Sequence, residues 1–127
     1  MAVIETFIDY KLDLTVHTVS GNLTTQEILD KLETYYQGRP TQRILWNFRN
    51  ATWVNITSDE LRRTVKEAKK YSRKGGKTAL VFSKDIDFRI GRMLEVFAQF
   101  EEYDYDFGNF RSIKDAKKWL SSRLQLS

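Results

Sequence analysis

The sequence contains no cysteine, a single histidine and a single proline among its 127 residues. Without cysteine there is no disulfide framework, no thiol nucleophile and no Cys-based zinc or iron–sulfur site. One histidine excludes a two-His metal site, and with no cysteine there is no Cys–His catalytic pair. The six glycines form neither a GxGxxG turn nor a P-loop. No apolar run approaches the ~20 residues of a membrane-spanning helix. The opening MAVIETFIDYKLD lacks the basic start, apolar stretch and small-residue cleavage site of a secretory signal. Together with the missing cysteines this sets a cytoplasmic expectation. What is present, 41% hydrophobic and 30% charged residues over 127 positions, suits one domain at 1–127 that folds on its own core.

Charge is unevenly placed. Arg62 to Lys77 carries eight basic side chains against Glu67 alone, whereas Met93 to Asp106 carries Glu95, Glu101, Glu102, Asp104 and Asp106 with no base. One surface is therefore expected to be basic and another acidic. The EEYDYD run has the carboxylate density of a hard-cation site but none of the ligand spacing of an EF-hand. A solvated acidic edge explains it, and no metal is expected.

Hydropathy periods outline alternating strands and helices. In residues 10–17, Tyr10, Leu12, Leu14 and Val16 alternate with polar neighbours, so Val3 to Val19 reads as two strands. The turn near Asp9–Lys11 lacks glycine, and the pattern also fits one bent strand. The polar face of this alternation puts His17 in solvent. Thr24-Thr25-Gln26-Glu27 is a capping box ahead of a helix whose stripe is Ile28, Leu29, Leu32, Tyr35 and Tyr36. Arg43 to Arg49 is a central strand, followed by an irregular segment at 50–56. Thr57-Ser58-Asp59-Glu60 opens a helix to about Lys74, with Leu61, Val65, Ala68 and Tyr71 on one face and seven bases on the other. Lys77 to Phe82 is apolar enough to be buried on both sides, as a parallel strand is. Ser83 caps a helix with the stripe Ile86, Ile90, Met93, Leu94, Phe97 and Phe100. Tyr103 to Phe110 is an edge strand, and Ser112 caps a last helix buried through Ile113, Ala116, Trp119, Leu120 and Leu124. The alternation argues α/β with a mostly parallel sheet.

The segments IDYKLDLTVHTVSGNLTTQEI, ILWNFRNATW, KTALVF and FGNFRSIKDAKKWL, in this order and spacing, resemble the STAS domains of anti-sigma-factor antagonists. The likeness is greatest to the SpoIIAA-like proteins of bacteria. That resemblance implies a mixed, mostly parallel four- to five-stranded sheet flanked by about four helices. It also implies a role in binding rather than chemistry. Phosphoregulated STAS domains carry Asp-Ser-Ser/Thr-Gly where the third strand enters the next helix, the first Ser being phosphorylated. This chain has Asn55-Ile56-Thr57-Ser58-Asp59 there instead. A helix N-terminus tolerates a phosphate on Thr57 or Ser58, but capping accounts for both hydroxyls.

Trp53 and Phe88 are apolar, fall outside the periodic stripes, and follow two strands at the edge where open α/β sheets bind ligands. With Ser58 and the mid-helix Gly91 they form the expected ligand or partner surface. Arg62, Lys66, Lys69 and Arg73 form the basic surface, explained by solvation without specific nucleic-acid binding or membrane insertion, since no nucleic-acid motif accompanies them. No catalytic residue and no cofactor are expected. The leading functional expectation is a non-enzymatic interaction or regulatory module that meets a protein partner or its own copy. The alternative is a carrier or sensor of a small apolar or amphipathic ligand, because SpoIIAA-like proteins are similar in topology to the lipid-binding CRAL-TRIO domains.

Overall fold

The computed structural model describes residues 1–54, 56–71, 75–103 and 106–122. Five strands, β1 (Ala2–Asp9), β2 (Leu14–Leu23), β3 (Arg43–Trp53), β4 (Lys77–Val81) and β5 (Asp106–Phe110), form one sheet in the order β1-β2-β3-β4-β5. β1 and β2 are antiparallel; β2 through β5 are parallel. The expected central position of residues 43–49 beside 77–82 is therefore observed. Four α-helices complete the fold: α1 (Thr25–Tyr36), α2 (Ser58–Ala68), α3 (Asp85–Phe100) and α4 (Ile113–Ser121). Each parallel crossover steps one strand along in the same sense, so α1, α2 and α3 fall on one face of the sheet. The fourth helix covers part of the other face, packing Ala116 and Leu120 on Leu45, Ala79 and Val81.

Local chemistry explains the element ends. The β1–β2 turn is made without glycine. Asp13 takes φ 54, a left-handed conformation that Asp tolerates, and its carboxylate accepts from Gln42 N at 3.1 Å. At α1 the capping box forms both ways: Thr24 Oγ1 accepts from Glu27 N, and Glu27 Oε1 accepts from Thr24 N. Glu27 Oε2 also accepts from Ala2 N at 3.0 Å, which ties the edge strand to the helix. At α2 only the forward half forms, Thr57 accepting from Glu60 N, because the Glu60 carboxylate is engaged by the Thr25 hydroxyl and Arg63. Ser83 does not cap α3: Lys84 holds that position without a side-chain bond, and Ser83 Oγ donates to the Arg49 carbonyl.

Three further expectations are corrected. β2 continues through Gly21 and Asn22 to Leu23, and β3 runs on to Trp53 where an irregular segment was expected. The cause is a β-bulge: Phe48 and Arg49 together oppose Val19, as the register moves from Thr18↔Asn47 to Ser20↔Asn50. Ile44, Trp46 and Phe48 face the three helices before the bulge; Ala51 and Trp53 face them after it. The second correction is α3, whose buried positions are Asp87, Gly91 and Ala98, while Ile86 and Phe100 are exposed. Third, Lys77 is not part of the basic surface. It is buried, and its Nζ donates to the Trp119 carbonyl (3.1 Å) and Ser122 Oγ at the carboxyl end of α4. Arg43 Nε joins it by donating to the Leu120 carbonyl at 2.8 Å. Two cations thus satisfy the unpaired carbonyls and negative dipole end of that helix.

Candidate functional site

The helix-covered face is built from rings. Trp46 stacks on Phe48 (5.5 Å, 9°), and Phe48 stacks on Phe82 of the neighbouring strand segment (5.4 Å, 19°). Flat stacked rings leave space beneath the helix that spans them. A partly open cavity lies between the sheet and α2, with about 80 Å³ available to the centre of a water molecule. A cavity needs roughly 10–15 Å³ to hold one water, so this one has room for more than a single water. Ile28 and Leu32 of α1, Leu61 and Val65 of α2, Leu94 of α3, and Trp46, Phe48 and Leu80 of the sheet supply apolar walls. Tyr36 and Tyr103 line it toward the carboxyl ends of α1 and α3. The Tyr103 hydroxyl donates to the Val65 carbonyl, and burial raises its pKa above the ordinary tyrosine value.

Trp53 lines the same cavity at the carboxyl end of β3. Its ring is 4.9 Å from Phe48 and 6.4 Å from Phe82, and its indole Nε1 is buried with no hydrogen-bond partner among the described residues. An unpaired buried donor costs about 1–3 kcal/mol. Phe88 packs edge-on against Phe82 (6.4 Å, 86°) beneath the Arg111 guanidinium, 4.5 Å from the ring centre. Arg111 is held by Asp85 at 2.6 Å. Trp53 and Phe88 therefore meet through Phe82, as half-buried members of one cluster rather than an exposed patch. Gly91 belongs to the same arrangement: a Cβ there would come within 2.5 Å of the Phe82 ring and would also strike Asn109 Oδ1. Only glycine lets α3 approach this closely.

Ser58 stands apart, exposed at the first position of α2 beside the capping Thr57. Arg62, Lys66 and Lys69 are exposed, while Arg73 lies outside the described residues. Arg62 lies over the Phe97 ring at 5.3 Å, and Arg63 bridges Glu60 and Glu67, so this charged face is braced from within. Asp104, Tyr105 and Leu124 also lie outside the described residues. Among the described residues no group of His, Asp and Glu is placed to hold a metal ion, and no helix is long and apolar enough to cross a membrane.

The histidine reverses its expected position. His17 is completely buried, its Nδ1 2.9 Å from Thr6 Oγ1, its ring 4.3 Å from Trp46 and 5.0 Å edge-on from Tyr35. Burial, with Lys31 adding repulsion, pushes its pKa down to about 3. Beside it, Thr15 Oγ1, Tyr35 OH and Thr41 Oγ1 form a buried cluster with contacts of 2.7 and 2.8 Å. The polar face of β2 is the inner face because Thr15 Oγ1 and His17 Nδ1 find partners on β1, α1 and the segment before β3, while His17 Nε2 has none among the described residues. No period along β2 alone reports those partners.

No protein-family model matches this sequence, and no curated protein matches it. The chain is similar to a solved structure of an uncharacterized protein of the DUF3478 family from Shewanella loihica PV-4, described as having a SpoIIAA-like fold. The two share 18% identity, and the alignment covers 94% of this chain and 93% of that one at a TM-score of 0.58. A five-stranded, mostly parallel sheet with three crossover helices on one face and one helix on the other is the SpoIIAA-like fold, and this chain has it.

Proposed function

We propose that the chain is a non-catalytic binding domain that holds a small apolar molecule in the cavity beneath α2. The observation carrying this reading is the pairing of an aromatic and aliphatic cavity with one buried donor, Trp53 Nε1, unpartnered among the described residues. A ligand with a hydrocarbon body and one acceptor oxygen fits that chemistry: the body displaces poorly held water from apolar walls, and the oxygen removes the cost of the bare N–H. Trp53 is the polar anchor, and Ile28, Leu61 and Val65 give the cavity its apolar character. Gly91 and Phe88 support the wall by fixing Phe82. This assignment favours the carrier or sensor alternative, because the two aromatics are folded into the core beside a cavity instead of lying on an open patch.

A titration with the neutral fluorophore N-phenyl-1-naphthylamine tests it. Saturable one-to-one binding is expected, competed by medium-chain alcohols. Ala68→Leu, which pushes a larger side chain into the cavity wall, is expected to weaken binding at least tenfold without lowering the melting temperature. Trp53→Phe keeps the ring and deletes the N–H; it is expected to weaken alcohols more than the corresponding alkanes. Unsaturable binding, or equal binding by wild type and Ala68→Leu, contradicts the reading.

A further inference from the structure

The other face of the sheet is only half covered. α4 packs over β3, β4 and β5, and Leu14 and Val16 of β2 lie half-buried against that cluster, leaving the outer side of β1, the edge of the β1–β2 ribbon, uncovered. Val3 and Phe7 of β1 and Leu12 of the turn are exposed there, 56%, 66% and 58% respectively, next to half-buried Leu14 and Val16. Between this ribbon and α4 runs a groove floored by Leu12, Leu14 and Leu120. Its rim is cationic. Lys114, Lys117 and Lys118 occupy one side of α4, at spacings of three and four residues, and Lys11 faces them from the turn. Among the described residues no acid lines the groove and none of these lysines is ion-paired. Arg43 fixes the two walls to each other, donating to the Leu120 and Leu12 carbonyls at 2.8 and 3.0 Å. Two acids share the outer face of β1 with Val3 and Phe7: Glu5 lies between them, and Asp9, opposite Leu14, is engaged by the Leu12 N–H, so the four lysines still outnumber the carboxylates.

We propose that this groove docks an acidic amphipathic helix of a protein partner, laid beside α4 over the β1–β2 ribbon. A helix there repeats the layer that α4 starts, covering Phe7, Leu12 and Leu14 with its apolar stripe and placing its carboxylates against the lysine rim. Charge complementarity selects the partner: four unpaired cations around an apolar floor attract an anionic surface and repel a basic one. A bilayer fits less well, because Leu14 is half-buried and Leu120 buried, so part of the groove floor is out of a flat surface's reach. The groove lies on the opposite side of the sheet from the cavity, so the two assignments stand or fall separately.

The test uses the full chain and a labelled synthetic helix with leucines at i, i+3, i+4 and i+7 and glutamates elsewhere, read by fluorescence anisotropy. Saturable binding is expected that weakens at least tenfold between 50 and 300 mM salt and at least tenfold in Lys114→Glu/Lys117→Glu. Phe7→Ser is expected to weaken it severalfold, with N-phenyl-1-naphthylamine binding unchanged in both variants. A sequence-scrambled peptide of the same charge binding equally well overturns the proposal, because charge alone then suffices. So does tighter binding to phosphatidylglycerol vesicles than to the peptide. Self-association abolished by Phe7→Ser also overturns it, because it makes the occupant a second copy of this chain.

Discussion

The two faces of the sheet use the same strands and solve different problems. On the helix-covered face, large rings alternate with buried polar side chains, some of them hydrogen-bonded to one another, and the packing leaves a cavity. On the α4 face, small and branched aliphatics (Leu45, Ala79, Val81, Ala116) close up tightly over part of the sheet and leave the outer side of β1 bare. Side chains two apart on a strand share a face, so neighbouring residues in β3 and β4 belong to these two environments in turn. The lesson is that covering a face and filling it are separate matters: the face with three helices holds a cavity beneath α2, and the face with one helix ends in an open groove.

Four changes sharpen or break that contrast. The largest expected effect comes from Phe82→Ala, which removes the ring joining Trp53, Phe48 and Phe88. Chemical denaturation is expected to show a loss of about 3–5 kcal/mol; a loss under about 1 kcal/mol breaks the claim that this ring row organises the helix-covered face. Next is Lys77→Ala on the other face. It leaves the Trp119 carbonyl without its charged donor and uncovers the indole beneath, and a loss of about 2–3 kcal/mol is expected. A neutral outcome there means that α4 is held by its apolar contacts alone.

The third change is in pH. His17 is the sole histidine; it titrates at the ordinary 6.5 when the chain is unfolded and at about 3 when folded. The unfolded chain therefore binds the proton first, so stability is complete above about pH 6.5 and falls as pH drops through 6.5 toward 3. A loss of about 2 kcal/mol is expected between pH 7 and pH 5, and His17→Gln should flatten that slope. An unchanged slope in the variant contradicts the burial assigned to this ring. The smallest effect is expected from Phe7→Ser on the uncovered side of β1, within about 0.5 kcal/mol of wild type. A larger loss means that this face is covered by the chain itself.

Features encoded within one element were readable from the sequence. Thr24, Thr57 and Ser112 announce the starts of α1, α2 and α4 through their caps, and the unbroken run Thr78–Phe82 identifies a strand buried on both sides. Features that depend on two elements were not. Trp53 escaped because the bulge at Phe48–Arg49 reverses which residues face inward, and nothing in the period before it signals the reversal. α3 sits rotated away from its apolar arc because its contact with the sheet runs through Gly91 and Ala98, whose smallness permits close approach, while Ile86 and Phe100 of that arc face solvent. His17 escaped because Thr6 and Tyr35 come from other elements. The cavity itself has no sequence signature, since it is the space left between side chains that are each ordinary core residues.

The central claim, that the helix-covered face holds a small apolar molecule and the α4 face does not, is tested most directly by the three tryptophan indole N–H signals in a proton–nitrogen NMR titration with 1-hexanol. Trp53 is assigned by its loss in Trp53→Phe; Trp46 lines the cavity, and Trp119 lies on the opposite face. The account expects the Trp53 signal to move downfield in a saturable manner as its N–H gains an acceptor, with Trp119 unmoved. A Trp53 signal that stays in place, or a Trp119 signal that moves as far, contradicts it.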